Sequence, residues 1–196
     1  MANLGIEDFK NKLSGGGARP NLFQVKCVWP ALVALRGNTA DFMFLCTGAS
    51  LPASTIGTVS VPFRGRNINL AGNRTFGNLE LTVLNDTDFG LRDAFESWMS
   101  KINNHSVNTG ETNPANYQSD VIVEHLDNQG KVIKSVLFRG CFPTSVSAIA
   151  LSSGASEAVE EFTVSMAIQY WESASTIALV GDAGSDLPPS AKIVDP

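Results

Sequence analysis

The stretch from Val61 to Asn85 constrains the fold more than any other part of the sequence. Apolar and polar residues alternate at both of its ends, which is typical of two strands joined by a connection. The apolar positions of the first strand are Val59, Val61 and Phe63, and those of the second are Leu79, Leu81 and Val83. We predict a long polar connection between these strands, rich in hydrogen-bonding side chains: Arg64, Arg66, Asn69, Asn73 and Arg74.

The three arginines of this connection have three interpretations. They could hold phosphates, they could pair with carboxylates or carbonyls of another protein, or they could be solvated surface residues. The chain has a net charge of -5 and a sequence pI of about 5.0, which argues against a basic nucleic-acid-binding face. We therefore favour a protein partner.

The length and composition predict one globular domain over residues 1–172, followed by a tail at 173–196. With 196 residues, 43% of them hydrophobic, the chain can bury a substantial core. Cys27, Cys46 and Cys141 are widely separated and lack zinc-site spacing, so we expect three buried thiols and no metal. No signal sequence or membrane span is predicted, and we expect folding in a reducing cytoplasm.

The first 17 residues are predicted to form an arm on a hinge. Ile6, Phe9 and Leu13 recur at helical spacing, and acidic residues precede basic ones as the helix dipole favours. The glycines of 14–17 lack the sequence of a phosphate-binding loop, so we interpret them as a flexible hinge.

The rest of the chain is predicted to be mainly β. Strands are expected at Phe23 to Trp29, at Phe42 to Cys46, and in a hairpin made of Val121 to Leu126 and Val132 to Phe138. We expect turns at 48–53, and further strands at Phe142 to Leu151 and at Val159 to Trp171.

One amphipathic helix is predicted after Asn85, with Leu91, Phe95, Trp98 and Ile102 on one face and capping residues at 86–88. Residues 103–118 are expected to be irregular. The predicted fold is therefore an antiparallel β-barrel or sandwich of seven or more strands, with one flanking helix and a short N-terminal helical arm.

No catalytic constellation is visible in the sequence. His105 and His125 lack neighbouring ligands or bases, and Glu160 and Glu161 point to opposite faces of a strand. Nucleophile-elbow, dinucleotide and P-loop patterns are absent. We expect no enzymatic activity and no cofactor.

Several separated motifs occur in a fixed order along the chain: ARPNLFQV at 18–25, LPA at 51–53, FRGRNINLAGNRTF at 63–76, LTVLND at 81–86, FESW at 95–98 and AIQYWE at 167–172. Together they resemble the tail tube proteins of contractile-tailed bacteriophages. The segment 30–38 and the tail after Glu172 depart from the pattern.

The resemblance implies a structural virion protein related to the tubes of type VI secretion and injection machines. Six copies would close into rings, and the rings would stack into a tube that carries phage DNA while a surrounding sheath contracts. The implied partners are further copies of the chain, the sheath, baseplate and tail terminator proteins and, transiently in the lumen, the tape measure protein and DNA.

Two sets of residues are predicted to serve this assembly. Contacts between subunits are expected at the connection 63–76, at Leu51 and Pro52, and on the arm at Ile6 and Phe9. An acidic lumen would let DNA pass without binding, and the candidate lining residues are Glu80, Glu124 and Glu161. Two alternatives remain: the tube of a phage-derived injection particle, and a monomeric β-barrel that binds a small apolar ligand.

Overall fold

In a computed structural model, the structure describes residues 5–13, 17–33, 39–152, 154 and 159–173. Within them the strands are β1 (Phe23–Cys27), β2 (Cys46–Ser50), β3 (Ser54–Phe63), β4 (Arg66–Phe76), β5 (Leu79–Leu84), β6 (Ser119–Leu126), β7 (Val132–Val146), β8 (Glu161–Ala167) and β9 (Tyr170–Ser173). The helices are α1 (Ile6–Lys12), α2 (Thr39–Leu45), α3 (Gly90–Ile102) and α4 (Pro114–Tyr117).

Seven of these strands form one antiparallel sheet in the order β1-β6-β7-β8-β5-β2, with β9 also paired to β7. The 15-residue β7 joins the two parts of this sheet, because its first half pairs with β6 and β9 and its second half with β8. The prediction of a mainly β fold with a flanking helix is confirmed. In the described residues the sheet does not close into a barrel.

One face of the sheet carries the core. Alternate residues of β5, β6 and β8 are fully or almost fully buried, as the period of two in a strand requires. Burying each such aliphatic or aromatic side chain contributes about 1.5–3 kcal/mol. We call this sheet, together with the helices packed on it, the body.

The predicted amphipathic helix is confirmed as α3. Leu91, Ala94, Phe95 and Trp98 are buried on its inner face. Phe95 lies in an aromatic cluster with ring-centroid distances of 5.0 Å to Trp29 and 6.4 Å to Phe162. The indole nitrogen of Trp98 donates a 2.8 Å hydrogen bond to the carbonyl oxygen of Tyr117 at the end of α4.

The capping residues predicted at 86–88 do not cap α3. The residue at its N-cap is Phe89, with φ 52°, and its side chain makes no capping hydrogen bond. The Asp86 carboxylate instead accepts a 2.6 Å hydrogen bond from the backbone nitrogen of Thr87. The expected irregular segment 103–118 contains the short helix α4, whose N-cap Asn113 accepts from the backbone nitrogen of Ala115.

One strand prediction and one turn boundary are wrong near α2. Phe42 and Phe44 lie on α2 rather than on a strand, with Phe42 buried and Phe44 exposed. A three-residue alternation is too short to distinguish a strand from a helix. The turn predicted at 48–53 begins late, because β2 continues to Ser50.

The boundaries of the last strands also differ from the prediction. The segment beginning at Phe142 continues β7 as far as Val146 and is not a separate strand. The strand predicted from Val159 to Trp171 is two strands, β8 and β9, which pair with different halves of β7. The backbone nitrogen of Gln169, between them, donates to the carbonyl of Arg139.

The N-terminal helical arm is confirmed as α1, none of whose residues is buried. The hinge glycines Gly15 and Gly16 and the tail 174–196 lie outside the described residues. None of the described helices is long and apolar enough to cross a membrane.

Candidate assembly surface

The predicted polar connection is in fact a second strand. Residues 66–76 form β4, which pairs with β3 in a separate two-stranded sheet that we call the exposed hairpin, Ser54–Phe76. The turn between its strands has only two residues, Arg64 and Gly65, with φ values of 44° and 82°. Positive φ at both positions is the geometry that joins two strands tightly, and Gly65 supplies it without steric cost.

The exposed hairpin has an apolar face that nothing in the described chain covers. Val59 lies opposite Leu70 and Val61 lies opposite Ile68, so these side chains share one face. They and Phe63 at the tip are between 41% and 54% exposed. Contiguous apolar exposure of this kind marks an interaction surface.

The opposite face of the hairpin is polar. Ser60 lies opposite Asn69, and Pro62 lies opposite Asn67. Every residue from 55 to 71 is exposed, so both faces of the hairpin are open to solvent. The hairpin is thus amphipathic, but its apolar face does not pack against the core of the subunit.

The charge of the exposed hairpin is of one sign. It contains Arg64, Arg66 and Arg74 and no aspartate or glutamate. In the described part of the chain none of the three forms an ion pair, and the guanidinium carbon of Arg64 lies 5.4 Å from the ring centroid of Phe63. These three positive charges belong to a chain with a net charge of -5, which leaves -8 for the remainder.

The predicted contact residues therefore lie on this hairpin, although on strands and a tight turn rather than on a loop. Arg64 and Arg66 are at the tip, Asn69 is on the polar face, and Arg74 lies opposite Ile56 near the base. Asn73 lies where the pairing register shifts. The sequence pattern that identifies β4 is the alternation of Ile68 and Leu70 with asparagines, which the polar composition obscured.

Leu51 and Pro52 lie at the base of the exposed hairpin, immediately before β3. They line a small cavity of about 60 Å³ together with residues of β7 and β9, namely Lys134, Val136, Phe138 and Trp171. The Phe76 ring packs edge-on against Trp171 at 6.3 Å between centroids, and the backbone nitrogen of Gly77 donates to Ala53. The contact with Trp171 and the shared cavity attach the hairpin to the body.

Ile6 and Phe9 form a second uncovered apolar stripe. They are 74% and 68% exposed on α1, and Leu13 follows them on the same face. A seven-residue helix without buried side chains gains little from intramolecular packing.

The three glutamates predicted to line a lumen occupy two separate regions. Glu80 on β5 and Glu161 on β8 lie on the outer face of adjacent strands, where the Ser165 hydroxyl donates a 2.7 Å hydrogen bond to Glu80. Glu124 on β6 forms a 3.0 Å ion pair with Lys26. Glu124 pairs with Ser135 of β7, whereas Ser165, the partner of Glu80, pairs with Ser145. These two positions are ten residues apart on β7, a path of about 30 Å along an extended strand.

The outer face around Glu80 and Glu161 is free of cationic residues. Strands β2, β5 and β8 and residues 140–146 of β7 contain neither lysine nor arginine. Their outward residues are mostly hydroxylated, with Thr82 opposite Thr163 and Ser50 opposite Glu80. The other half of the sheet, by contrast, contains Lys26, Lys134 and Arg139.

The described residues offer neither a metal site nor an exposed thiol. No group of three histidines, cysteines, aspartates or glutamates in the described residues is arranged to hold a metal ion. Cys27, Cys46 and Cys141 are buried free thiols, as predicted. Burial raises the pKa of Cys46 and of Cys141 to about 12, and it also raises the pKa of Cys27, so these thiols are protonated at neutral pH.

Comparison with known proteins assigns the family. The family model described as phage tail tube protein matches residues 18–174. The chain belongs to the phage tail tube protein family. The prediction of this family from the sequence motifs is therefore confirmed, as is its structural role in a tail tube.

Two curated members of the family resemble the chain over nearly their whole length. Tail tube protein gp19 of Enterobacteria phage T4 is 33% identical over 160 residues, which cover 81% of this chain and 93% of the relative. The tail tube protein of Serratia phage KSP90 is 27% identical over 172 residues, covering 87% and 96%.

Solved structures share the fold at low sequence identity. The chain in the anti-feeding prophage tube terminating cap has a TM-score of 0.57 at 16% identity, covering 80% of this chain and 90% of that one. A chain of an extracellular contractile injection system, from a sheath-tube complex in the extended state, also has a TM-score of 0.57, at 12% identity and 87% and 98% coverage. The exposed hairpin falls within the residues matched by the tail tube family.

Proposed function

We propose that six copies of this chain close into a ring, and that the rings stack into the inner tube of a contractile phage tail through which DNA passes to the host. Residues 1–172 act as the subunit domain, with 173–196 as an appended tail. The observation that carries the proposal is the exposed hairpin, whose apolar face is removed from water only when another molecule covers it. A head-to-tail contact of this kind can close rings and extend tubes.

The partner of the exposed hairpin in this proposal is a second copy of the chain. An isolated two-stranded hairpin is marginally stable in water, so its apolar face gains most from a partner surface. Its three arginines meet a chain whose remaining residues carry a charge of -8. Arginine pairs with carboxylates through two parallel hydrogen bonds, which fixes orientation as well as affinity.

Two further groups of predicted contact residues extend this surface. Leu51 and Pro52 lie at the base of the hairpin, where a neighbouring subunit could cover them with the adjacent small cavity. The stripe of Ile6 and Phe9 supplies a separate contact between copies. Several distinct surfaces are needed because contacts within a ring and between rings differ.

Arginine variants test this assignment. Arg66→Ala and Arg74→Ala should leave the monomer folded, and tube formation should fall at least about tenfold, a loss of about 1.4 kcal/mol in contact energy. Lys131→Ala, which removes one exposed charge outside the hairpin, is the matched control and should assemble normally. Negative-stain microscopy counts the tubes, and normal tubes from both arginine variants would refute the interface.

For the lumen, we propose the outer face of β2, β5 and β8, with Glu80 and Glu161 as lining residues. A face with hydroxyls and carboxylates but no cation makes no phosphate contact that would release counterions, so DNA slides past it. Glu124 is left outside this lining because Lys26 neutralises it on the other half of the sheet.

Charge reversal tests the lining. Tubes of the Glu80→Lys, Glu161→Lys double variant should retain DNA with a steep salt dependence, because every ring adds several phosphate contacts. Glu124→Lys serves as the control and should retain no more DNA than the natural protein. Retention is measured on preassembled tubes over a salt series; equal retention by the two variants would contradict the assignment.

The remaining partners and the setting follow from the same proposal. The tube lies inside a sheath, ends at baseplate and terminator proteins, holds the tape measure protein before ejection, and has no catalytic role. It belongs to the virion and is assembled in the host cytoplasm. A phage-derived injection particle is the second candidate, because the similar solved chains come from such particles. Family membership favours both over a monomeric ligand carrier.

A further inference from the structure

The exposed hairpin is interrupted at one position, where two glycines face each other. Pairing runs in register from Ser54 opposite Phe76 to Ile56 opposite Arg74, and resumes at Thr58 opposite Ala71. Between these pairs the single residue Gly57 faces two residues, Gly72 and Asn73. This is a β-bulge, which bends a hairpin and increases its twist.

The bulge separates two parts of the hairpin that differ in what holds them. The base, residues 54–56 and 74–76, is attached to the body through the Phe76 contact with Trp171. The outer part, residues 58–71, which we call the outer hairpin, is exposed throughout. The direction of the outer part is therefore determined at the bulge and not by contacts with the body.

Close packing of the two backbones at the bulge depends on Gly72. A Cβ atom on Gly72 would lie 3.1 Å from both the carbonyl carbon and the oxygen of Gly57. A Cβ atom on Gly57 would lie 3.6 Å from its nearest neighbour, the carbonyl oxygen of Asn73, which is an ordinary contact. The two glycines thus face each other, but only at position 72 would a side chain require the facing backbone to move, by a few tenths of an ångström.

We propose that Gly72 is a positioning residue that sets the angle at which the outer hairpin leaves the body, and thereby the rotation and spacing between stacked rings. This inference rests on the proposed function, since it assumes that the outer hairpin contacts a subunit of the next ring. Glycine in the interior of a strand lowers its stability and often marks a bulge or a close approach of two backbones. We attribute the glycine at position 72 to the bend.

A small displacement at the bulge becomes a larger displacement at the tip of the outer hairpin. Six residue pairs at a rise of about 3.3 Å give it a length of about 20 Å. If an added methyl group displaces one backbone by about 0.4 Å across a strand spacing of about 4.8 Å, the tip moves by about 1.5–2 Å. Such a shift is large compared with the fit of a packed interface.

The experiment compares Gly72→Ala with Gly57→Ala in the full chain. Both substitutions remove the same conformational freedom from the unfolded chain, so only the contact at 3.1 Å distinguishes them. We expect Gly57→Ala tubes to keep the natural helical twist and rise. For Gly72→Ala we expect a changed twist in the tubes that form, or at least a tenfold lower tube yield.

A deletion provides a second variant. Removing Gly72 eliminates the bulge while leaving the register on both sides unchanged, so the hairpin should straighten and the body should unfold at its natural urea concentration. Cryo-electron microscopy measures twist and rise, and circular dichroism in urea checks the body. Natural twist, rise and yield in both the Gly72→Ala and the deletion variant would overturn the inference while leaving the proposed function intact. Failure of the natural chain to form tubes would instead overturn the proposed function and this inference with it.

Discussion

The body and the exposed hairpin have the same alternation of apolar and polar residues, but the apolar face is buried in the body and exposed in the hairpin. In the body, alternate residues of β5, β6 and β8 share one core with the buried residues of helix α3 and lose nearly all contact with water. In the hairpin, the same alternation produces an apolar face that remains open. The difference shows that alternation predicts strands but not what covers them. In a subunit that assembles, the cover can be another molecule.

The largest expected effect is in the body. Trp98→Ala should lower the free energy of unfolding by about 3–5 kcal/mol, because it removes a fully buried indole and its hydrogen bond to Tyr117. Urea unfolding followed by circular dichroism measures the loss. Phe63→Ala at the hairpin tip is the control, with an expected change below about 0.5 kcal/mol. Similar losses in both variants would erase the contrast between the two regions.

An alkaline titration sharpens the contrast, because all three cysteines belong to the body. In the unfolded chain a thiol ionises near pH 9, whereas in the folded protein the pKa of Cys46 and of Cys141 is raised to about 12. The unfolded state therefore loses protons first, and stability falls as the pH rises from about 9 towards 12. The expected slope is about 1.4 kcal/mol per pH unit for each thiol.

Replacing the thiol isolates its contribution to this slope. Cys46→Ala should reduce the slope of unfolding free energy against pH above pH 9 by the share of one thiol, whatever its effect at neutral pH. Urea titrations at pH 8, 9 and 10 provide the measurement. An unchanged slope would mean that the Cys46 thiol ionises equally readily in the folded and unfolded chains.

The smallest expected effect on stability is in the hairpin. The double variant Val61→Thr, Ile68→Thr keeps branched side chains on paired positions and should change the free energy of unfolding by less than about 0.5 kcal/mol. Its tube formation should nevertheless fall, because the apolar face becomes polar. Ser60→Ala on the opposite face is the control for assembly. A large loss of monomer stability would show that the face is covered within the subunit.

The sequence predicts best those elements whose apolar residues are buried within the same chain. Helix α3 and the β6–β7 hairpin are predicted from their periodicity, because their apolar residues are buried within the same chain. The family follows from separated motifs in a fixed order, and the comparison confirms it.

The errors occur where local pattern and tertiary pairing disagree. Strand β4 was predicted as a polar connection because Asn67, Asn69 and Asn73 dominate its composition, although its cross-strand partners determine its conformation. The division between β8 and β9 cannot be found from alternation, because it depends on which half of β7 each strand pairs with. The separation of Glu124 from Glu80 has the same origin, since it is set by pairing positions along β7.

The single sign of charge on the exposed hairpin also restricts how copies can meet. If two hairpins met face to face, arginines of both would approach one another without an acidic residue of either hairpin between them. Pro62, which lacks an N–H group, further reduces pairing between open strand edges. Symmetrical dimers through this element are therefore disfavoured, and a subunit that docks by its hairpin leaves its own opposite end available to the next, which gives growth a polarity.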